Sequence, residues 1–365
     1  MEENRMKLLN HFMCCILLLG LISCSNDISE GAEKFNDSFF YNAVDLSLLP
    51  KLRKSKTVFY DQDKKLKDAL TLLAKAGVNT IRLRIWVSPE SEDSSFDEVK
   101  KFSKELRSKG FKIWLTVHYS DSWADPGNQK LPKAWDALLF ENLLFKVNVY
   151  TKRIVAEISP DIIQIGNEIN NGFLFPHGDI YNNQVQFIEL LSTGVNAVRE
   201  ASETCKIMIH VAGLKQADWF FSQLKEVDYD LIGISYYPKW HVKNLEEFEY
   251  KFNDLSEKFE KDILIAETAY PFTLDWNDLT HNVMGGNDAL ILPDYPATKS
   301  GQLKFCQKVK SIVLETKRGR GFCYWGAELV AFDGHESLNG SAWENQALFD
   351  FNNTVLPVMG VFNME

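Results

Sequence analysis

The sequence predicts an α/β fold, a closed (β/α)8 TIM barrel in a single domain, and three observations carry that prediction. Apolar runs of strand length alternate with amphipathic stretches of helix period along the chain. The strand-like runs number eight, which is the number that closes such a barrel. Polar and aromatic side chains gather just after the strand ends and not before them, as they do where a barrel carries a site on its carboxyl face.

The strand-like runs are Tyr41–Leu46, Val78–Val87, Lys112–His118, Asp161–Gly166, Lys206–Ala212, Leu231–Tyr237, Asp262–Glu267 and Gly321–Trp325. Helix-period stretches separate them at Lys64–Ala76, Asp97–Lys109, Phe140–Ile158, Gln184–Ala201, Asp218–Val227, Leu245–Phe259 and Ser300–Lys317. Gly77 and Gly110 supply stop signals directly after two of these. An eighth helix is expected after Asn345, where the sequence marks it poorly. No Pro/Gly-rich linker divides the run, so residues 39–365 read as one barrel domain. Two excursions are long, Trp123–Trp135 and Phe272–Thr298, and loops of that length are functional or stapled by a metal.

Ahead of the barrel, Met6-Lys7 opens a polar region and Phe12 to Ile22 is an apolar core too short to span a bilayer. It closes on Leu21-Ile22-Ser23-Cys24, which resembles the lipobox of bacterial lipoproteins. That reading makes residues 1–23 a signal peptide, Cys24 the lipid-bearing residue, and residues 24–38 a polar tether. The expected location is the bacterial envelope, at the outer membrane or cell surface. An ordinary secretory signal is the alternative, and two glutamates among the first five residues leave Met6 as a second candidate start. Six cysteines are present, but Cys14, Cys15 and Cys24 fall in this segment. Cys205, Cys306 and Cys323 fit neither a disulfide framework nor a zinc site and read as buried thiols.

With 365 residues, 45% of them hydrophobic, the chain can bury a sizeable core. A net charge of -10 argues against a nucleic-acid partner, and a neutral substrate fits better. The 25 Phe, 12 Tyr and 9 Trp serve mostly as core, but they also suit a saccharide, because ring faces stack on apolar sugar surfaces. The protein is expected to act as a monomer.

The chemistry is concentrated at two strand ends. Ile163-Gln164-Ile165-Gly166-Asn167-Glu168 finishes the fourth run, and Asp262-Ile263-Leu264-Ile265-Ala266-Glu267 finishes the seventh. Two carboxyl groups across a barrel mouth, about 5 Å apart, can cleave a glycosidic bond with retention. One must stay protonated while the other stays ionised. Glu168, beside the neutral Asn167, is the candidate acid/base, and Glu267 the candidate nucleophile. In Ile81-Arg82-Leu83-Arg84-Ile85-Trp86 the alternation puts Arg82, Arg84 and Trp86 on one face. An arginine inside a barrel needs a carboxylate, and Asp45 or Glu267 could provide it. Ser235 and Tyr237 share a face, so an inward Tyr237 would donate to the nucleophile, with Tyr236 supporting the wall.

Longer runs extend these ends: Val78-Asn79-Thr80-Ile81-Arg82-Leu83-Arg84-Ile85-Trp86, His118-Tyr119-Ser120-Asp121-Ser122-Trp123-Ala124-Asp125-Pro126, Gln164-Ile165-Gly166-Asn167-Glu168-Ile169, Ile232-Gly233-Ile234-Ser235-Tyr236-Tyr237-Pro238, Ala266-Glu267-Thr268-Ala269-Tyr270-Pro271 and Asn345-Gln346-Ala347-Leu348-Phe349-Asp350. Together they resemble glycoside hydrolase family 53, the arabinogalactan endo-β-1,4-galactanases. The resemblance implies internal cleavage of β-1,4-galactan, with Glu168 as acid/base and Glu267 as nucleophile. It also implies sugar contacts from Asp45, His118, Asp121, Trp123, Asn167, Trp240, His241 and Trp325, beside Arg82, Trp86, Tyr236 and Tyr237. Bacterial relatives often staple the loop after the seventh strand with calcium, which implies a structural ion held among Asp275, Asn277, His281, Asn282, Ser341 and Glu344. No cofactor is implied for the reaction. One segment departs from the family: Tyr324-Trp325-Gly326-Ala327-Glu328-Leu329 stands where Tyr-Trp-Glu-Pro-Ala-Trp is common, so Leu329 replaces a stacking ring and leaves one subsite open to question.

Two competing readings remain at this point. A β-mannanase or cellulase of the same clan would share both glutamates, although the Ser-Asp-Ser-Trp-Ala-Asp-Pro run argues against it. A surface glycan-binding lipoprotein would have no need of both glutamates.

Overall fold

The computed structural model describes residues 39–364; the signal segment, the tether and Cys24 lie outside the described residues. Eight strands form the barrel: β1 Tyr41–Asp45, β2 Thr80–Ile85, β3 Lys112–Val117, β4 Ile162–Ile165, β5 Lys206–Ala212, β6 Leu231–Ser235, β7 Asp262–Thr268 and β8 Gly319–Tyr324. Each pairs in parallel with the next, and β8 closes on β1. The expected TIM barrel is therefore what the chain forms.

The helices are α1 Leu49–Lys54, α2 Ala69–Lys75, α3 Phe96–Ser108, α4 Phe140–Ile158, α5 Gln184–Ala201, α6 Ala217–Ser222, α7 Leu245–Phe259 and α8 Lys299–Glu315. Local signals set their ends. Ser95 accepts from the Glu98 amide while the Glu98 carboxylate accepts from the Ser94 amide, a reciprocal cap that starts α3. Two expectations shift. The helix expected from Lys64 starts only at Ala69, because Asp68 caps it by accepting from the Thr71 amide and Leu66–Lys67 pairs instead with Phe59–Tyr60. Among the described residues no α-helix follows Asn345. A 3-10 turn at Pro357–Asn363 takes its place beside α8, where the buried Lys310 ammonium donates to the carbonyls of Val361 and Met364. Pro357 and Gly360 disfavour a longer helix there.

Two apolar layers hold the assembly. Odd-numbered residues of β2 and β4 (Ile81, Leu83, Ile85, Ile163, Ile165) face the helices. Inside the barrel, Tyr41, Ala43, Trp114, Ile162, Met208, Leu231, Leu264, Ala266 and Cys323 plug the amino end. Above that plug the lumen turns polar, with Asp45, Arg82, Gln164, His210, Ser235 and Glu267 all buried. Cys205, Cys306 and Cys323 are buried free thiols.

Candidate active site

The polar layer is organised by one guanidinium. Arg82 donates from Nη1 to Asp45 Oδ2 at 2.7 Å, from Nη2 to Glu267 Oε1 at 2.7 Å and Asn167 Oδ1 at 3.0 Å, and from Nε to Gln164 Oε1 at 2.9 Å. Both carboxylate partners anticipated from the sequence are thus engaged at once. Burial alone would make a lumenal arginine expensive, and the four acceptors offset that cost.

Glu267 reaches this layer through an irregularity in β7. Ile263 and Ile265 face the helices while Leu264 and Ala266 face the lumen, so strict alternation would send Glu267 outward. The register against β6 shifts between Ile234 and Ser235, which pair with Ile265 and Glu267. The extra residue turns Glu267 inward, as bulges beside functional sites do. There Tyr237 Oη donates to its Oε2 at 3.1 Å. Burial raises the Glu267 pKa, while Arg82 and Tyr237 oppose the rise by stabilising the carboxylate.

Glu168 has no such ion pair among the described residues. The chain leaves β4 through Gly166 at φ 82°, and Glu168 itself sits at φ 47°. Its carboxyl pKa is pushed up to about 8, first by burial and then by the negative charge of Glu267, with a hydrogen bond from Ser235 in opposition. Burial thus raises both carboxyl groups, but only Glu267 has an ion pair and a phenol donor to stabilise its charge, and that charge raises Glu168 further.

Behind Glu168 runs a chain of hydrogen bonds whose direction follows from its donors. Gln164 Oε1 accepts from Arg82 and, at 2.6 Å, from Trp114 Nε1, so its amide nitrogen must donate to His210 Nδ1 at 2.9 Å. His210 then carries its proton on Nε2, 2.9 Å from Ser235 Oγ, and the Ser235 hydroxyl is free to donate to Glu168. Burial and Arg82 hold His210 neutral by lowering its pKa well below the usual imidazole range.

An open cavity of about 680 Å³ lies over these groups. Of the residues expected from the sequence, Asp45, Arg82, His118, Trp123, Asn167, Glu168, Tyr237, Trp240, His241, Glu267 and Trp325 line it. His118 Nδ1 accepts from the Ala124 amide at 3.0 Å, and His241 Nδ1 from the Tyr237 amide at 3.0 Å. Burial lowers both pKa values, that of His241 to about 4, so both rings are neutral.

Three expected residues stand elsewhere. Tyr236 is fully buried behind the wall, stacked on Phe248 at 3.9 Å, with its hydroxyl donating to the Val242 carbonyl. Trp86 lies behind Trp123, their rings edge to face at 5.8 Å. Asp121 accepts from the amides of Ser88 and Lys133 and borders a neighbouring depression, where it braces the loop after β3. Leu329 is buried and forms no part of the cleft. The ring on that side is Trp343, edge to face with Trp325 at 5.0 Å, so the departure noted in the sequence leaves the wall aromatic. Trp343, Arg84, His210 and Asp125 were not anticipated as site residues. Trp343 had no signal, being separated from any strand, whereas Arg84 shared the inward face of β2 with Arg82.

The six candidate calcium ligands divide. Asp275 is exposed and accepts from the Thr273 hydroxyl at 2.9 Å, and His281 is exposed beside Trp276. Ser341 Oγ donates to the Leu329 carbonyl. By contrast, Glu344 Oε1 accepts from the amides of Asn277 and Asp278 and, at 3.4 Å, from Asn282 Nδ2. Glu344 Oε2, Asp278 Oδ2 and the amide oxygen of Asn282 are buried without partners. Asp278, absent from the sequence-based set, belongs with them. Among the described residues no three His, Cys, Asp or Glu side chains form a metal cluster.

Comparison with known proteins agrees with this geometry. The profile described as Glycosyl hydrolase family 53 matches residues 41–362. An arabinogalactan endo-beta-1,4-galactanase of Cellvibrio japonicus (strain Ueda107) is 33% identical, covering 89% of this chain and 91% of the relative. An endo-beta-1,4-galactanase of Bacillus subtilis (strain 168) is 31% identical, covering 88% and 85%. The solved Ignisphaera aggregans GH53 catalytic domain superposes with a TM-score of 0.83 at 36% identity, over 88% of this chain and 95% of that one. A barrel with two differently tuned glutamates at its mouth, matched along almost its whole length, makes this chain a glycoside hydrolase and a member of glycosyl hydrolase family 53.

Proposed function

We propose that this enzyme cleaves internal β-1,4-galactosidic bonds of galactan and type I arabinogalactan, with retention of anomeric configuration. The carrying observation is the unequal partnering of two carboxyl groups in one cleft: the Glu267 carboxylate is stabilised by Arg82 and Tyr237, while Glu168, without an ion pair, is raised by burial and by the Glu267 charge. The names of the relatives support the substrate. Glu267 attacks the anomeric carbon while the Glu168 proton passes to the departing glycosidic oxygen. Glu168, now ionised, takes a proton from water, and the resulting hydroxide releases the sugar from Glu267. Asn167 faces the same space and is held in place by Arg82 and by donation from its amide to the Ala124 carbonyl. Trp123, Trp240, Trp325 and Trp343 offer ring faces and edges to the polymer.

Product analysis on linear β-1,4-galactan, mannan and a soluble cellulose tests this reading. Galacto-oligosaccharides from the first alone are expected. Products from mannan or cellulose without galactan cleavage would point to another clan specificity, and binding without cleavage to a surface glycan-binding protein. Glu267→Ala should abolish hydrolysis and leave galactan retention in an affinity gel.

Two finer proposals accompany it. Cys24 carries a lipid that anchors a monomeric enzyme in the envelope, which mass spectrometry of the exported protein would detect. A structural calcium ion is held by Glu344, Asp278 and Asn282, whose orphaned oxygens are the hard donors that calcium takes. Bound there, calcium would link the loop after β7 to the loop after β8, and the two-carboxylate reaction itself needs no metal.

A further inference from the structure

Arg82 and Arg84 are neighbours on the inward face of β2, yet their surroundings are opposite. Arg82 is saturated by the four acceptors described above. Arg84 is 4% exposed, and its Nε has no acceptor. Among the described residues no carboxylate forms an ion pair with it. Its guanidinium contacts are ring faces, Trp123 with Cζ at 4.0 Å from the centroid and Trp86 at 4.7 Å. The two rings, edge to face with one another, hold the guanidinium in place and accept none of its N–H groups in conventional hydrogen bonds. A buried guanidinium without acceptors is costly, and here it lines the cleft that holds Glu168 and Glu267. A donor set held against two rings and unspent at the edge of a sugar site is complementary to the hydroxyl oxygens of a sugar.

We infer that Arg84 contacts substrate directly, donating hydrogen bonds to hydroxyl oxygens of the sugar unit that lodges against Trp123. The inference rests on the glycan reading of the cleft. Arg84 touches none of the reacting atoms named above, so its contribution is to binding in ground and transition states alike. Its removal therefore raises KM and leaves kcat nearly unchanged.

Arg84→Ala and Arg84→Lys, assayed on β-1,4-galactan beside the wild type, provide the test. Loss of charged hydrogen bonds corresponds to about a tenfold or greater fall in kcat/KM, carried by KM, in the alanine variant. Lysine should recover little of it, because an ammonium cannot present the planar fork of donors that a guanidinium does. Added guanidinium ion should rescue Arg84→Ala, and the same concentration of sodium chloride should not. A kcat/KM within twofold of wild type overturns the inference. So does a loss that guanidinium leaves unchanged while the near-ultraviolet circular dichroism shows Trp123 displaced, since Arg84 would then only prop the ring. A wild type inactive on galactan overturns the substrate instead. The Arg84 comparison is then read on whichever glycan is cleaved.

Discussion

At the residue scale the two glutamates owe their roles to their neighbours, which makes their titration testable. Glu168 must be protonated to donate, so kcat/KM should fall as pH rises through about 8. The Ser235 hydroxyl opposes the rise in the Glu168 pKa, and Ser235→Ala should therefore move this alkaline limb to higher pH. A pH–rate profile of the variant measures the displacement. Glu328 offers a stability counterpart. It is buried, its Oε1 accepts from the Leu48 amide, its Oε2 has no partner, and burial pushes its pKa up to about 8. A carboxyl whose folded pKa exceeds its unfolded value favours the native state while protonated, and that advantage disappears as pH rises from the ordinary value toward 8. Glu328→Gln keeps the acceptor and removes the titration. The thermal midpoint should match wild type at pH 5 and exceed it by several degrees at pH 9, a gain of at most about 4 kcal/mol. Residue chemistry of this kind was partly legible in the sequence. The carboxyl ends of strands exposed Glu168 and Glu267, but His210 and Gln164 became part of the site only when β4 and β5 were laid side by side.

At the scale of elements, the strand ends depart from regular geometry where the chemistry sits. The register shift in β7 delivers Glu267, and the left-handed exit from β4 delivers Glu168. Period-two alternation, read literally, would have sent Glu267 toward the helices. Its place at the strand end was legible from the run, while its direction was not. Gly166 is the pivot of the second departure: a Cβ there would stand 2.4 Å from Ile169 Cγ2, at a backbone φ of 82°. Gly166→Ala should cost about 1–3 kcal/mol and lower kcat more than it raises KM, because the turn it strains aims the acid. Thermal melting and steady-state kinetics on one preparation separate the two effects. The 3-10 turn that stands where a helix is expected after Asn345 has a similarly local cause in Pro357 and Gly360, and the helix expected from Lys64 is shortened by the Asp68 cap.

At the scale of the whole molecule, the barrel was legible because eight apolar runs repeat one signal, and repetition averages out the error at any one boundary. The long loops were not, since polar loop residues carry no period. Of the six cation ligands implied by the resemblance, Asn282 and Glu344 carry orphaned oxygens, and Asp278, outside that set, carries a third. If calcium fills them, a hundredfold excess over its dissociation constant should stabilise the fold by about 2.7 kcal/mol. Chelation should lower the thermal midpoint accordingly, and Glu344→Gln should lose the response. The guanidinium of Arg82 has a different kind of consequence. It ties side chains of β1, β2, β4 and β7 to one another and to Asn167, two residues past the end of β4. Charge balance for the reaction is therefore settled inside the scaffold, and the loops above inherit it ready-made. Lineages can exchange those loops, and with them the polymer that is gripped, without having to reinvent the step that breaks the bond.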